Sequence, residues 1–130
     1  MKKKKVLFVS EASWKYTGYA IYTKEVLSRL SQIQDLEVAE LACYASAVNT
    51  EVRTTPWKVY PNKPHPDSPE FKAYKSVPTK VFGEQTFNSV LLDFQPDIVM
   101  DIRDWWMFEY QQRSPFRDLF HWAIMPTVDA

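Results

Sequence analysis

The sequence predicts an α/β domain, a mostly parallel sheet covered by helices on both faces. Three observations predict it. Short, mostly apolar runs stand at residues 6–10 (VLFVS) and 98–102 (IVMDI), as in strands buried on both sides. Stretches with helical spacing of apolar residues alternate with them. Strands that alternate with helices build parallel sheets, and ligands then sit beyond the carboxyl ends of the strands.

Residues 6–10 form the first predicted strand. From Tyr19 onward Tyr22, Val26, Leu27, Leu30 and Ile33 fall on one side, with Lys24, Glu25, Ser28 and Arg29 opposite. That is a first amphipathic helix, with Thr17 or Gly18 as its N-cap. "LEVAELACYA" (36–45) alternates in part and is a second strand, which closes a βαβ unit. Residues 46–80 then hold six of the nine prolines, at 56, 61, 64, 66, 69 and 78. Such a segment is neither a central strand nor a long helix. It predicts an irregular surface excursion with one short strand at 80–82. From Glu84, the apolar residues Phe87, Val90, Leu91 and Phe94 stand at i, i+3, i+4 and i+7, a second amphipathic helix that Pro96 ends. A strand at 98–102 and a loop "RDWWM" follow. Ser114 and Pro115 then start a short helix to about residue 120, and residues 121–130 supply a last strand.

Composition narrows the function. The 130 residues suit one domain with a real core. Sixteen basic and sixteen acidic side chains cancel, which gives no field favouring nucleic acid. Four lysines at 2–5 flank the first strand and serve solubility. The apolar run after them is too short for a signal peptide, and no window approaches the ~18 apolar residues of a membrane span. Cys43 is the one cysteine, so no internal disulfide forms, and the chain is expected in the cytoplasm. Peripheral membrane contact stays open.

Three loops leave strand ends and can converge: residues 11–18, 103–106 and 127–130. The first has neither G-x-G-x-x-G nor a P-loop. Gly18 is a turn glycine or a point of close backbone approach. In "DIRDWWMFEY", Trp105 and Trp106 can stack on a ligand or fill an interface. Asp101 is expected in or along the sheet, whereas Asp104, in the loop, is better placed to contact a hydroxyl, and Asp129 is similarly placed. His65 and His121 lie apart, without metal-ligand spacing. Cys43 is read as a small core residue, His121 as structural, and no serine lies in a nucleophile elbow.

"QPDIVMDI" is similar to the phosphoacceptor strand of response-regulator receiver domains. Ser10 and Glu11 stand where that family needs an acidic pair, and only 29 residues follow Asp101, too few for its remaining elements. A resemblance spanning nearly the whole chain is carried by "KKVLFVSEASWKYTGYAIYTKEVLSRL", "FNSVLLDFQPDIVMDI" and "HWAIMPTVDA". Together they look like the N-terminal half of a GT-B glycosyltransferase of the group 1 (family 4) type. The resemblance implies a Rossmann-like three-layer domain on the acceptor side of a retaining, metal-independent enzyme with no tightly bound cofactor. Its donor would be a UDP- or GDP-linked nucleotide-sugar held by a separate C-terminal domain, and its acceptor a small molecule or glycan.

The acceptor-side residues so implied are Glu11, Tyr16, Thr17, Gly18, Tyr19, Arg103, Trp105 and Asp129. Asp104 takes the catalytic position where many relatives carry a histidine. The family's E-x7-E donor pair has no counterpart, since no two glutamates have that spacing. A single half cannot both stabilise a leaving diphosphate and orient two substrates. The chain is therefore expected to be a folded but inactive part of a larger enzyme. The alternative is a stand-alone binding or interaction module, with Trp57, Trp105 and Trp106 as its partner-facing patch.

Overall fold

The computed structural model describes residues 2–76, 78–84, 86–103 and 105–125. Five strands run in chain order: β1 (Lys4–Glu11), β2 (Leu36–Ser46), β3 (Lys58–Lys63), β4 (Ile98–Asp101) and β5 (His121–Ile124). They form one sheet in the order β3-β2-β1-β4-β5, and every neighbouring pair is parallel. The helices are α1 (Gly18–Leu30), α2 (Glu51–Thr54), α3 (Glu70–Ser76), α4 (Phe87–Phe94) and α5 (Trp105–Phe108). The result is an α/β Rossmann-like three-layer fold.

The alternation of side chains along β1 builds both layers. Leu7 and Val9 meet Leu41, Val99 and the α4 residues Phe87, Val90, Leu91 and Phe94. Val6 and Phe8 meet Leu27 of α1, with Val38, Ala42 and Ile102. A central parallel strand has no solvent face, which is why its sequence is an unbroken apolar run.

The proline-rich segment departs from expectation. It contributes β3 to the sheet, and Pro61 pairs opposite Ala42 within it. An edge strand bears a proline because one of its sides makes no ladder; β3 is such an edge. Tyr44 takes a positive φ of 66°, and the β2–β3 register shifts between Ala42 and Ser46. The strand expected at 80–82 is instead part of a 3₁₀ turn, Pro78–Phe82.

Two helix ends also differ. α4 begins at Phe87 and not at Glu84, because Gly83 turns the chain at φ 107° and its carbonyl accepts the Phe87 N–H at 2.9 Å. Gln95 ends α4 in the left-handed conformation, immediately before Pro96. The helix expected from Ser114 is only a 3₁₀ turn, Arg117–Leu119. The Ser114 hydroxyl accepts the Phe116 N–H at 3.1 Å and donates to Asn88 at 2.6 Å, so it makes a local turn in place of a helix cap.

Candidate functional site

The strand order reverses between β1 and β4, and in open parallel sheets the loops beyond that point line a crevice. The first of these loops follows β1. Thr17 is the N-cap of α1, and its hydroxyl oxygen accepts the Ala20 N–H at 3.2 Å. The same hydroxyl donates to Glu11 Oε2. Tyr16, 97 % exposed, stands at the tip of the loop. Gly18 is exposed, and a Cβ built there would meet nothing within 4 Å. Its lack of a side chain therefore answers no crowding from within this chain. Tyr19 is half-buried against the α1-side core. Glu11, Tyr16, Thr17, Gly18 and Tyr19 thus share one turn, as the sequence suggested.

A residue not singled out from the sequence fixes that turn. Glu40, on β2, is buried at 1 % exposure. Its carboxylate accepts the Ser13 hydroxyl at 2.7 Å, the Ser13 N–H at 3.2 Å and the Trp57 indole N–H at 3.3 Å. Burial pushes its pKa up, against the pull of the Ser13 and Trp57 hydrogen bonds. The available signal was a charge between Ala39 and Leu41, in the apolar middle of "LEVAELACYA". Trp57 consequently lies in the core at 9 % exposure, which corrects its placement in a partner-facing patch.

Beyond β4 the expectation for Arg103 also changes. Arg103 is 1 % exposed, so it has no surface to offer an acceptor. Its Nη2 donates to Asp101 Oδ1 at 2.7 Å, and its Nη1 to the Phe82 carbonyl at 2.6 Å. Gln111 donates to the same Asp101 oxygen at 2.9 Å, and the Trp122 indole N–H to Oδ2 at 2.8 Å. Tyr110 donates to the Phe82 carbonyl at 2.7 Å. Burial pushes the Asp101 carboxyl up, while the Arg103 charge and the hydrogen bonds from Trp122, Arg103 and Gln111 oppose it. Burial also works against the Arg103 cation, but Tyr110, Cys43 and Asp101 outweigh it and raise its pKa. Burial raises the pKa of Tyr110 and of Cys43, so the charged partner of Arg103 is Asp101, 2.7 Å away. Asp101 thus lies in the sheet, as read from the sequence, with Arg103 beside it as a structural partner.

Asp104 and Asp129 lie outside the described residues, and Trp105 opens the short helix α5. Cys43 is buried in β2 as a core residue, its thiol pushed up to about 11 mainly by burial. Among the described residues no three His, Cys, Asp or Glu side chains group as a metal site. Nor, among them, is any helix long and apolar enough to cross a membrane.

Hollows in the surface give little further guidance. The two larger ones, about 370 and 320 Å³, open at the amino ends of the strands, lined by residues such as Lys5, Trp57 and Tyr60, or Gln95, Pro96 and Phe120. That is the sheet end opposite the reversal point. A groove of about 220 Å³ runs beside β4 and β5 and includes Tyr22, Val26, Met100 and Ile102. We give the topological position more weight than volume, because ligands of open parallel sheets sit beyond the carboxyl ends of the strands. Compared with known proteins, the chain matches no family model and no curated protein sequence.

Proposed function

We propose that this chain is the acceptor-side domain of a sugar-transferring enzyme whose nucleotide-sugar is held by another domain. The observation that supports it is the strand order β3-β2-β1-β4-β5, which sets the loops after β1 and β4 on either side of one reversal point. In this reading the Tyr16 ring stacks on the C–H face of a sugar. Glu11 accepts a hydroxyl proton, and Gly18 lets the ligand approach the backbone. Asp104, next to the buried Arg103 in sequence, contacts the reacting hydroxyl. The Asp101–Arg103 pair holds the start of that loop rigid. Nothing in this turn supplies a cation cluster for a leaving diphosphate, so that task falls to the donor side.

The test is the size of the native product, read by immunoblot of source cells with an antibody to this chain. The expected band lies at about two to three times the 15.3 kDa of these residues, the size of a two-domain enzyme. A band at 15.3 kDa removes the catalytic reading for this polypeptide. Sugar transfer by the 130-residue chain alone at an enzymatic rate overturns the proposal from the other side, since the proposal requires a second domain.

A stand-alone binding module is the second reading, favoured by the exposed apolar side chains Tyr22, Ile124 and Met125 around the β4–β5 groove. It gains support if Ile124→Asp abolishes a self-association that Tyr16→Ala leaves intact.

A further inference from the structure

The amino ends of the strands carry a surface that neither the core nor the candidate site uses. Lys2, Lys3 and Lys4 are exposed there. Lys2 lines the hollow of about 320 Å³ together with Leu92 and Leu119, and Lys3 lines the neighbouring one. Leu92 is 60 % exposed and Leu119 74 %. Leu92 lies off the buried stripe of α4, and Leu119 stands in the 3₁₀ turn before β5. Ile33 is a third exposed apolar side chain at this end. It lies in the turn into β2, whose Asp35 carbonyl accepts the Lys4 N–H at 3.0 Å. The nearby acids only partly offset the lysines. Glu37 pairs with Lys5 at 3.7 Å and Asp93 with Lys58 at 3.2 Å, while Asp97 accepts the Lys5 backbone N–H at 2.9 Å. Asp35 and Asp118 are exposed, against Lys2, Lys3, Lys4 and Arg117, the last in the same turn as Leu119. The exposed balance of this end is basic.

We infer that this end of the domain is a docking surface for an anionic lipid bilayer. The lysines meet the headgroups, and Leu92 and Leu119 enter the boundary with the acyl chains. A bilayer fits this surface better than a protein does. Lysine is depleted at protein–protein interfaces, whereas anionic headgroups attract it. The lysines at 2–5, read from sequence as aids to solubility, thus gain a second role from the leucines beside them. Docking in this way turns the carboxyl ends of the strands, with the loops after β1 and β4, away from the bilayer. The inference stands apart from the sugar-acceptor reading, because it uses none of the residues that carry it.

The test is flotation of the folded chain with vesicles of phosphatidylcholine, alone or mixed with phosphatidylglycerol. Binding is expected to the mixed vesicles only, and it should weaken as salt rises. Lys2→Gln/Lys3→Gln/Lys4→Gln is expected to lose about a hundredfold in partitioning at low salt. Leu92→Ser/Leu119→Ser is expected to lose about tenfold or more. All five side chains are exposed, so both variants keep the fold, which circular dichroism checks. Ile21→Ser, at a residue 55 % exposed near the start of α1 and so at the opposite end, is expected to lose nothing. An absence of binding to the mixed vesicles overturns the inference. So does binding that the leucine variant leaves unchanged, because the lysines would then adsorb without a docking surface. Self-association in solution that Leu119→Ser abolishes overturns it too, since the face would then belong to a second copy.

Discussion

Replacing Asp101 by Asn is the sharpest test of how this fold holds its loops. The change is nearly isosteric, so it leaves packing in place and removes one charge. Both oxygens of Asp101 accept, from Arg103, Gln111 and Trp122 at 2.7–2.9 Å. An amide in that position turns its NH₂ toward one of these donors and loses that bond. Arg103, at 1 % side-chain exposure, is left as a buried cation without its partner. Breaking a buried pair from one side costs about 3–5 kcal/mol. Against a typical total of about 5–15 kcal/mol, that is a large share of the stability. At about 4 °C per kcal/mol for a chain of this size, Tm should fall by roughly 12–20 °C.

The assay is urea unfolding followed by tryptophan fluorescence, with Arg29→Met as a control. Arg29 pairs with Glu25 at 2.8 Å, nearly the same distance, but the two side chains are 75 % and 62 % exposed. Its loss should cost only about 0.5 kcal/mol or less. Burial, and not distance, separates the two cases. The double variant Asp101→Asn/Arg103→Met should lose less than the sum of its single changes, since it strands no charge. A loss below about 1 kcal/mol for Asp101→Asn, or strict additivity in the double variant, refutes the reasoning.

Two further outcomes follow from buried groups nearby. Gly83→Ala should destabilise by about 2–4 kcal/mol in the same assay, from the positive φ and a displaced hydrogen bond. The added Cβ would stand 2.5 Å from the Tyr110 hydroxyl and 3.2 Å from Leu41, and would push Tyr110 off the Phe82 carbonyl. A loss under about 0.5 kcal/mol would show that the turn relaxes freely. Glu40 should make stability depend on pH. Its folded-state pKa is raised above the ordinary 4.5, so its contribution is full below that value and is lost as pH rises through the folded-state pKa. The advantage of the native chain over Glu40→Gln should therefore shrink as pH rises above the ordinary value of 4.5, and an advantage that grows with pH would contradict the burial of this carboxylate.

What was legible in the sequence divides along physical lines. β1, α1, β2, α4 and β4 were readable because each buries a face, and burial imposes a period on the apolar residues. β3 was not readable, because "KVYPNK" lies at the sheet edge, where a proline is tolerated and little apolar surface is demanded. The turn around Glu11 to Tyr19 could be read from its neighbours, since Thr17 caps a helix by a local bond three residues long. Long-range polar bonds carried no such local signal. Glu40 reaches Ser13 across 27 residues, and Trp57 across 17. Arg103 reaches the Phe82 carbonyl across 21. From sequence alone, an arginine beside a strand end looks like a ligand contact, because nothing local shows that a buried aspartate two residues earlier already claims it. The same reasoning separates the candidate residues. Glu11, Tyr16, Thr17 and Gly18 keep surface to offer a ligand, while Arg103 and Glu40 act on the site only through the loops they hold.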